Sequence, residues 1–184
     1  QWKYYLRKLN KKLTNYRDFK GGSPWGGIAS DNKNGILYLT TGNAAPYLVG
    51  IQRPGKNLYA DSVIAFDIRK KNIKWYFQET CHDLWNNDIA GPPILTTINK
   101  HGKRIDVVVA VSKTGNTLIL DKNTGEPIFD FVKRKAPVSK LPGQRTCEYQ
   151  PDLKLPEPFS RNEFKLEHIT NKSPEDRNYV LNQV

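Results

Sequence analysis

The sequence predicts an all-β protein that forms part of a β-propeller with antiparallel four-stranded blades. Short β-rich runs recur along the chain with connections of hairpin length, and no long amphipathic helix interrupts them before about residue 160. One strand–turn–strand pattern also occurs twice. Two copies of a blade pattern cannot close a ring, so we expect a partial propeller.

Six segments rich in β-branched and aromatic residues are predicted to be strands, because polar turn residues bound each of them. The run from Ile105 to Val111 is mostly apolar, which is typical of a strand buried on both faces. The predicted strands are 35–41, 62–67, 74–78, 105–111, 116–121 and 127–131.

The repeated pattern favours a propeller over a sandwich or barrel. Residues 65–75 align with residues 119–129, 54 residues later, and each copy places a large aromatic residue eight positions after an aspartate. We expect the aspartate to bond the backbone of the following turn. The aromatic residue on the returning strand then packs between neighbouring sheets. The period suits one four-stranded blade per copy.

The composition changes from about residue 134 onward. Residues 136–159 contain five prolines and are predicted to be an extended loop rather than a blade strand. Ser173 followed by Pro174 and two acidic residues predicts a helix that runs to about Gln183. We therefore predict one partial propeller domain over residues 1–184. It comprises a lead-in segment (1–20), a blade core (21–135) and a Pro-rich loop with a short helix (136–184).

Charge and cysteine content limit the range of possible functions. Lys and Arg exceed Asp and Glu by 11, but the basic residues are spread along the chain, which favours a solvated basic surface over a nucleic-acid-binding face. Cys81 and Cys147 form neither CxxC nor CxxCH, which excludes a cysteine-rich zinc site and attached c-type haem within this chain. Free thiols are favoured over a bridge, since a bridge requires Cα atoms within about 7 Å.

Five motifs then occur in one order and spacing. They are GGSPWGGIASD at 21–31, TGN at 41–43, RPGKN at 53–57, HDLW at 82–85 and KTGN at 113–116. Over about residues 20 to 160 the chain resembles the quinoprotein alcohol and glucose dehydrogenases, which depend on pyrroloquinoline quinone (PQQ) and have eight-bladed propellers. The resemblance implies oxidation of an alcohol or a sugar hydroxyl by PQQ, held by Ca²⁺ or a rare-earth ion. It also implies that electrons pass to a quinone or cytochrome.

The resemblance assigns roles to four residues. Trp25, flanked by glycines, would stack under the planar quinone. Asn43 would bind the metal through its amide oxygen, a hard neutral ligand. Lys113 would contact the quinone oxygens as a fixed positive charge, with Asn116 as a further cofactor contact. Taken without the resemblance, Trp25 can equally be a blade-docking residue, and Asn43 and Lys113 ordinary turn residues.

The loop at 81–88 departs from the family pattern. The family's general base is an aspartate directly after the tryptophan, and here that position is Asn86, which cannot accept a proton from an alcohol. Asp88 and Asp83 are therefore the candidate bases, with Asp88 also a candidate extra metal ligand. His82 is a candidate proton relay. The alternative is that this polar loop takes no part in catalysis or metal binding.

The resemblance also implies a periplasmic protein. Residues 1–20 lack the apolar stretch of a secretory signal, and no run approaches the roughly 18 apolar residues that span a bilayer. We expect a signal or anchor upstream of Gln1, so that any membrane association depends on parts outside this chain.

Two other functions stay open at this point. A non-catalytic PQQ-like repeat propeller that acts as a scaffold is favoured by Asn86, and a nucleic-acid-binding β domain by charge alone. The family's metal-binding glutamate, vicinal disulfide and cofactor ceiling lie outside the chain. We therefore expect the 184 residues alone to bind PQQ poorly and to show no turnover.

Overall fold

The computed structural model describes residues 21–161 and 164–184, which fold mainly into antiparallel sheets. Strands β1 to β4 form a four-stranded sheet in chain order, β5 to β7 a three-stranded sheet, and β8 with β9 a two-stranded sheet. The predicted lead-in segment 1–20 lies outside the described residues. The strands are β1 Ile28–Asp31, β2 Ile36–Thr40, β3 Ser62–Asp67, β4 Asn72–Gln78, β5 Ile94–Lys100, β6 Lys103–Val111, β7 Thr117–Asp121, β8 Phe131–Lys135 and β9 Tyr149–Leu153.

The prediction of an all-β fold is confirmed, as are the five predicted strands between residues 35 and 121. They correspond to β2, β3, β4, β6 and β7, with ends that differ by at most two residues. The adjacent residues Val107 and Val108 are both fully buried, so the centre of β6 is buried on both faces as predicted. β1 and β5 were not predicted. β1 has only four residues, and three of the seven residues of β5 are partly buried while the others are exposed.

Two predictions after residue 121 were wrong. Residues 127–131 do not form a strand, because only an isolated bridge joins Pro127 to Leu120, and the next strand begins at Phe131. The second sheet therefore has three strands rather than four. Residues 149–153, predicted to be loop, form β9 and pair with β8. Proline is tolerated at Pro151 because a two-stranded sheet consists only of edges, where a missing N–H donor costs little.

The repeated aspartates act in the turns as predicted. Asp67 Oδ1 accepts a hydrogen bond from the Lys70 N–H (2.8 Å). Asp121 Oδ1 accepts from the N–H groups of Asn123 (2.8 Å) and Thr124 (2.9 Å). Each carboxylate satisfies turn donors and so fixes the direction in which the chain leaves the strand.

Trp75 docks the first sheet against the second, as the repeat predicted. Its indole is buried and donates from Nε1 to the carbonyl oxygen of Lys122 (3.1 Å), which also accepts from the Tyr38 hydroxyl (3.3 Å). The Lys122 ammonium lies 2.9 Å from Asp31 Oδ2, and this contact lowers the pKa of Asp31 well below its usual range. The turn at the end of β7 is thus bound to the first sheet by apolar packing, hydrogen bonds and an ion pair. The core between the sheets consists of Ile36, Tyr38, Val63, Ala65, Trp75, Ile89, Val108, Ala110, Leu118, Leu120 and Leu153.

A 3₁₀ turn at Leu166–His168 and helix α1 at Pro174–Leu181 end the chain. The predicted N-cap is confirmed, since Ser173 Oγ accepts from the Asp176 N–H at 3.0 Å, although the helix ends two residues before Gln183. Across the described ranges, no helix has the length and apolar composition required to cross a bilayer.

Replacing Gly125 by alanine is expected to weaken the docking of the two sheets. A Cβ at Gly125 would lie 2.4 Å from a ring carbon of Trp75, so the side chain has no space. Gly102 has a similar left-handed φ (+75° against +77°), but a Cβ there would meet no atom of the described residues within 4 Å, which makes Gly102→Ala the matched control. We expect Gly125→Ala to lower the free energy of unfolding by about 1–3 kcal/mol more than Gly102→Ala, measured by urea unfolding followed by circular dichroism. Equal losses would contradict the docking role.

Candidate functional site

The candidate site lies at the edge of the first sheet where β2 and β4 end and β3 begins. Backbone hydrogen bonds continue the strand register beyond the strands, from the Asp61 N–H to the Gly42 oxygen (3.2 Å) and from the Glu79 N–H to the Asp61 oxygen (2.9 Å). Gly42, Asp61 and Glu79 therefore stand in one row. Because paired residues of an antiparallel sheet share a face, the side chains of this row face the same side.

The missing side chain of Gly42 allows two functional groups to approach the sheet. A Cβ at this position would lie 2.5 Å from Asp88 Oδ1 and 2.5 Å from Trp25 Nε1. The Gly42 N–H also donates to the Ser23 oxygen (3.2 Å), which fixes the segment that carries Trp25. The indole is 59% exposed, so most of it remains open to a ligand.

Asp88 links the predicted metal ligand to the predicted cofactor lysine. Its Oδ1 accepts from the Asn43 backbone N–H (2.6 Å), and its Oδ2 accepts from Lys113 Nζ (2.9 Å). The Lys113 N–H donates to the Asp88 carbonyl (3.1 Å). With its amide oxygen facing Lys113, Asn86 accepts from Nζ (3.2 Å) and donates to Asp88 Oδ2 (3.2 Å). The structure thus brings Trp25, Asn43, Asn86, Asp88 and Lys113 together, while their chemical roles stay predictions.

The Asn43 side chain is held with its amide oxygen free. Asn43 is buried, and its Nδ2 donates to the Tyr47 carbonyl at 2.9 Å. This bond fixes the amide so that Oδ1, which has no hydrogen-bond partner among the described residues, is left as a free acceptor. A buried amide oxygen without a partner fits a hard cation.

Arg53, from the RPGKN motif, holds three loops together beneath the site. It is 1% exposed and donates to the Pro46 carbonyl (3.1 Å) and to Asn57 Oδ1 (2.5 Å). It also donates to the Tyr47 carbonyl (3.3 Å) and to the Asp83 carbonyl. The motif had no predicted role of its own, and the structure shows that its arginine fixes the carbonyl that orients Asn43.

The loop at 81–88 is folded around Asp83. The Asp83 carboxylate accepts from the N–H groups of Trp85 (2.7 Å) and Asn87 (2.5 Å), and the residue is 1% exposed. Burial raises the pKa of Asp83, whereas these bonds lower it. His82 bonds the Gly55 carbonyl through Nδ1 (2.6 Å), and burial lowers its pKa. The Asp83 carboxylate is therefore occupied by its own loop and the His82 ring is bonded to the 53–57 loop, although the charge of Asp88 still acts on Asp83.

Two buried carboxyl groups of the row were not predicted from the sequence. Glu79 Oε1 accepts from Asn116 Nδ2 (2.8 Å), so the amide of the predicted cofactor contact is directed at Glu79; the cofactor role of Asn116 stays a prediction. Neither carboxylate oxygen of Asp61 has a partner in the part of the chain that the structure describes. Burial, followed by the charges of Asp83, Asp88 and Glu79, raises the pKa of Asp61 to about 9. A lone acidic residue at a strand end gives no signal in the sequence.

Protein side chains alone do not complete a metal site here. Within residues 21–161 and 164–184, no group of three or more His, Cys, Asp or Glu side chains is arranged to hold a metal ion. The donors that fit a cation are the Asn43 amide oxygen and the neighbouring Asp88 carboxylate. The fit is therefore partial, and it consists of oxygen donors only.

The prediction of free thiols was wrong, because Cys81 and Cys147 form a disulfide with a Cα–Cα distance of 5.7 Å. The cysteines are 66 residues apart in sequence, and the unpredicted pairing of β8 with β9 brings the segment around Cys147 back to the loop. Gln150 adds a double contact with Cys81, accepting from its N–H (2.8 Å) and donating to its carbonyl (2.8 Å). The loop at 81–88 is thus attached at its start to the C-terminal part of the chain.

Comparison with known proteins agrees with this geometry. Quinoprotein glucose dehydrogenase A of Acinetobacter calcoaceticus is 35% identical over 124 residues, covering 66% of this chain and 16% of the relative. The crystal structure of quinohemoprotein alcohol dehydrogenase from Comamonas testosteroni superposes with a TM-score of 0.56 at 30% identity, covering 72% of this chain and 20% of that one. A europium-containing methanol dehydrogenase superposes with a TM-score of 0.55 at 26% identity, covering 70% and 23%. The chain spans about a fifth of the length of these relatives.

Antiparallel sheets docked through Trp75, together with the superposition on a quinohemoprotein alcohol dehydrogenase, define part of a β-propeller. The family model described as "PQQ: Glucose/ethanol/alcohol dehydrogenase, beta-propeller domain" matches residues 1–184. The chain belongs to this family, as the sequence motifs predicted.

Asp61 is expected to make the stability of the protein fall as the pH rises. Its pKa is raised from 3.8 to about 9, so the folded state keeps a proton that the unfolded state releases. The stabilising contribution is complete below pH 4 and is lost as the pH rises toward 9, with a slope of up to about 1.4 kcal/mol per pH unit. Asp61→Asn cannot ionise and is expected to reduce this slope, measured by urea unfolding between about pH 5 and pH 8 in EDTA. Asp130→Asn, at an exposed position, is the control, and an unchanged slope in Asp61→Asn would refute the expectation.

Proposed function

We propose that this chain forms the cofactor floor of a PQQ-dependent dehydrogenase that oxidises an alcohol or a sugar hydroxyl. The observation that carries the proposal is the meeting of Trp25, Asn43 and Lys113 around the carboxylate of Asp88. These three side chains come from three separate segments, and each matches a motif of the family. The dehydrogenase names of the relatives support the proposal and do not favour the alternative of a non-catalytic scaffold.

The residues present suit a flat, electron-accepting ligand. When bound, PQQ supplies a quinone that takes up two electrons from the substrate. The exposed indole of Trp25 offers an apolar face for stacking. The Lys113 ammonium, whose side chain is 42% exposed, provides positive charge where negative charge develops on reduction.

Asp88 is the better candidate for the general base. Asp83 is 1% exposed and both its carboxylate oxygens already accept backbone N–H groups, so a substrate cannot reach it without opening the loop. Asp88 also accepts through both oxygens, but it lies beside the exposed indole of Trp25 and its side chain is 12% exposed, so part of the carboxylate stays accessible. We therefore assign the proton-accepting role to Asp88, with Asn86 as a neutral neighbour.

The same carboxylate bears on the choice of cation. Asp88 Oδ1 accepts from the Asn43 backbone N–H, so a carboxylate is bonded to the same residue that carries the free amide oxygen. A second oxygen donor with negative charge favours cations of higher charge. Ca²⁺ or a rare-earth ion is proposed for this place, and the similarity to a europium-containing methanol dehydrogenase supports the second choice.

A periplasmic location is proposed for the protein. The Cys81–Cys147 disulfide supports it, because disulfides persist in oxidising compartments such as the bacterial periplasm. A quinone or a cytochrome is proposed as the electron acceptor, on the resemblance to the family alone.

Lys113→Ala is expected to weaken PQQ binding by the full-length protein at least about tenfold, since it removes a charge-assisted contact to an anionic ligand that is worth about 1.5–3 kcal/mol. Binding is measured by quenching of tryptophan fluorescence with Ca²⁺ or La³⁺ present, and turnover by dye reduction with alcohols and sugars. Lys103→Ala, at the exposed first residue of β6, is the matched control for loss of a lysine. Failure of the wild-type protein to bind PQQ or reduce dye with either cation would reject the proposed function.

Asp88→Asn is expected to lower turnover by at least about 100-fold, the usual contribution of a general base. Terbium luminescence, sensitised by nearby tryptophan, measures cation binding separately. If Asp88 also binds the ion, Asp88→Asn weakens Tb³⁺ binding more than Ca²⁺ binding. Asp83→Asn is the comparison variant, and a larger loss of turnover in Asp83→Asn than in Asp88→Asn would show that the base has been misassigned.

A further inference from the structure

Glu79 is a buried carboxyl to which the proposed function gives no role. It follows β4 directly, is 3% exposed, and has an Oε1 atom that accepts three hydrogen bonds. The donors are Ser112 Oγ (2.8 Å), Thr114 Oγ1 (2.7 Å) and Asn116 Nδ2 (2.8 Å). All three side chains belong to the turn between β6 and β7 that carries Lys113.

The turn at 112–116 is closed by its own backbone and directed at the first sheet. The Gly115 N–H donates to the Ser112 oxygen (3.0 Å), and the Ser112 N–H donates to the Asn116 oxygen (3.1 Å). The side chains on either side of Lys113 therefore point to Glu79, while the lysine itself reaches Asp88 (2.9 Å). A lysine side chain is long and flexible, so its ammonium acts as a fixed charge only if its backbone is held.

We propose that Glu79 is a positioning residue for Lys113: it holds the 112–116 turn against the first sheet and so keeps the ammonium beside Asn43 and Trp25. The proposal rests on the proposed function, in which Lys113 contacts PQQ. Since Glu79 follows the last strand of the first sheet and the turn connects two strands of the second, this contact also sets the relative position of the two segments that form the site.

The hold on the turn is tested first, without PQQ, by amide hydrogen exchange in the full-length protein. Glu79→Ala removes the acceptor, and exchange at Ser112 and Gly115 is expected to become at least about tenfold faster. Glu79→Gln retains an acceptor oxygen, so its exchange rates at Ser112 and Gly115 should stay within about threefold of those of the wild type. Trp75→Phe, which loses the indole N–H bond to Lys122, controls for general loosening between the sheets and should leave the turn unchanged. Unchanged exchange in Glu79→Ala overturns the proposal.

The link to Lys113 is tested next by PQQ titration with fluorescence detection. Glu79→Ala is expected to raise the Kd about tenfold and Glu79→Gln no more than about threefold, whereas in the Lys113→Ala background Glu79→Ala should have no further effect. If the losses of PQQ affinity caused by Glu79→Ala and Lys113→Ala are additive, the proposal is overturned, while the proposed function stays intact. If the wild-type protein does not bind PQQ, the proposed function fails, and the exchange result alone decides whether Glu79 holds the turn. Should Glu79→Ala not fold, the double variant Ser112→Ala with Thr114→Val removes two of the three donors and carries the same expectations.

Discussion

The candidate site depends on one carboxylate, that of Asp88. It accepts the Asn43 backbone N–H from the end of the first sheet and the Lys113 ammonium from the second. Without this carboxylate, the Asn43 N–H and the Lys113 ammonium would each lose a partner. The direct polar contact between the end of β2 and the turn after β6 at this point would also be lost. The space for the carboxylate exists only because residue 42 is glycine. The absence of a side chain at Gly42 and the charge of Asp88 thus together determine how the site is arranged.

The surroundings of Asp88 are unusually rich in buried polar groups. Asp61, Glu79 and Asp83 are each at most 3% exposed, and Arg53 is the buried cation among them. Burial is the main reason that the pKa values of all three are raised, and the charges of neighbouring carboxylates raise them further. Such an arrangement lowers stability, and perturbed acids of this kind concentrate at functional sites. These buried acids lie at the same edge of the sheet where the motifs of the family meet.

Local patterns were sufficient to predict much of the fold. β2, β3, β4, β6 and β7 follow from β-branched runs between turn residues, and the docking of Trp75 follows from the repeat. The errors have a common physical cause: β9 and the Cys81–Cys147 disulfide depend on pairing between segments far apart in sequence. The meeting of Trp25, Asn43 and Lys113 was predicted because motif order carries that information. Arg53, Asp61 and Glu79 act through burial and partners, which no single-residue pattern reveals.

The close contacts at Gly42 have a consequence for comparing related sequences. Any side chain at this position would displace either the indole of Trp25 or the carboxylate of Asp88. A homologue with another residue at the aligned position must therefore have lost or rebuilt this corner, even if its tryptophan and aspartate motifs are intact. A glycine at this position therefore distinguishes homologues that can form the same site from homologues that only share its tryptophan and aspartate motifs.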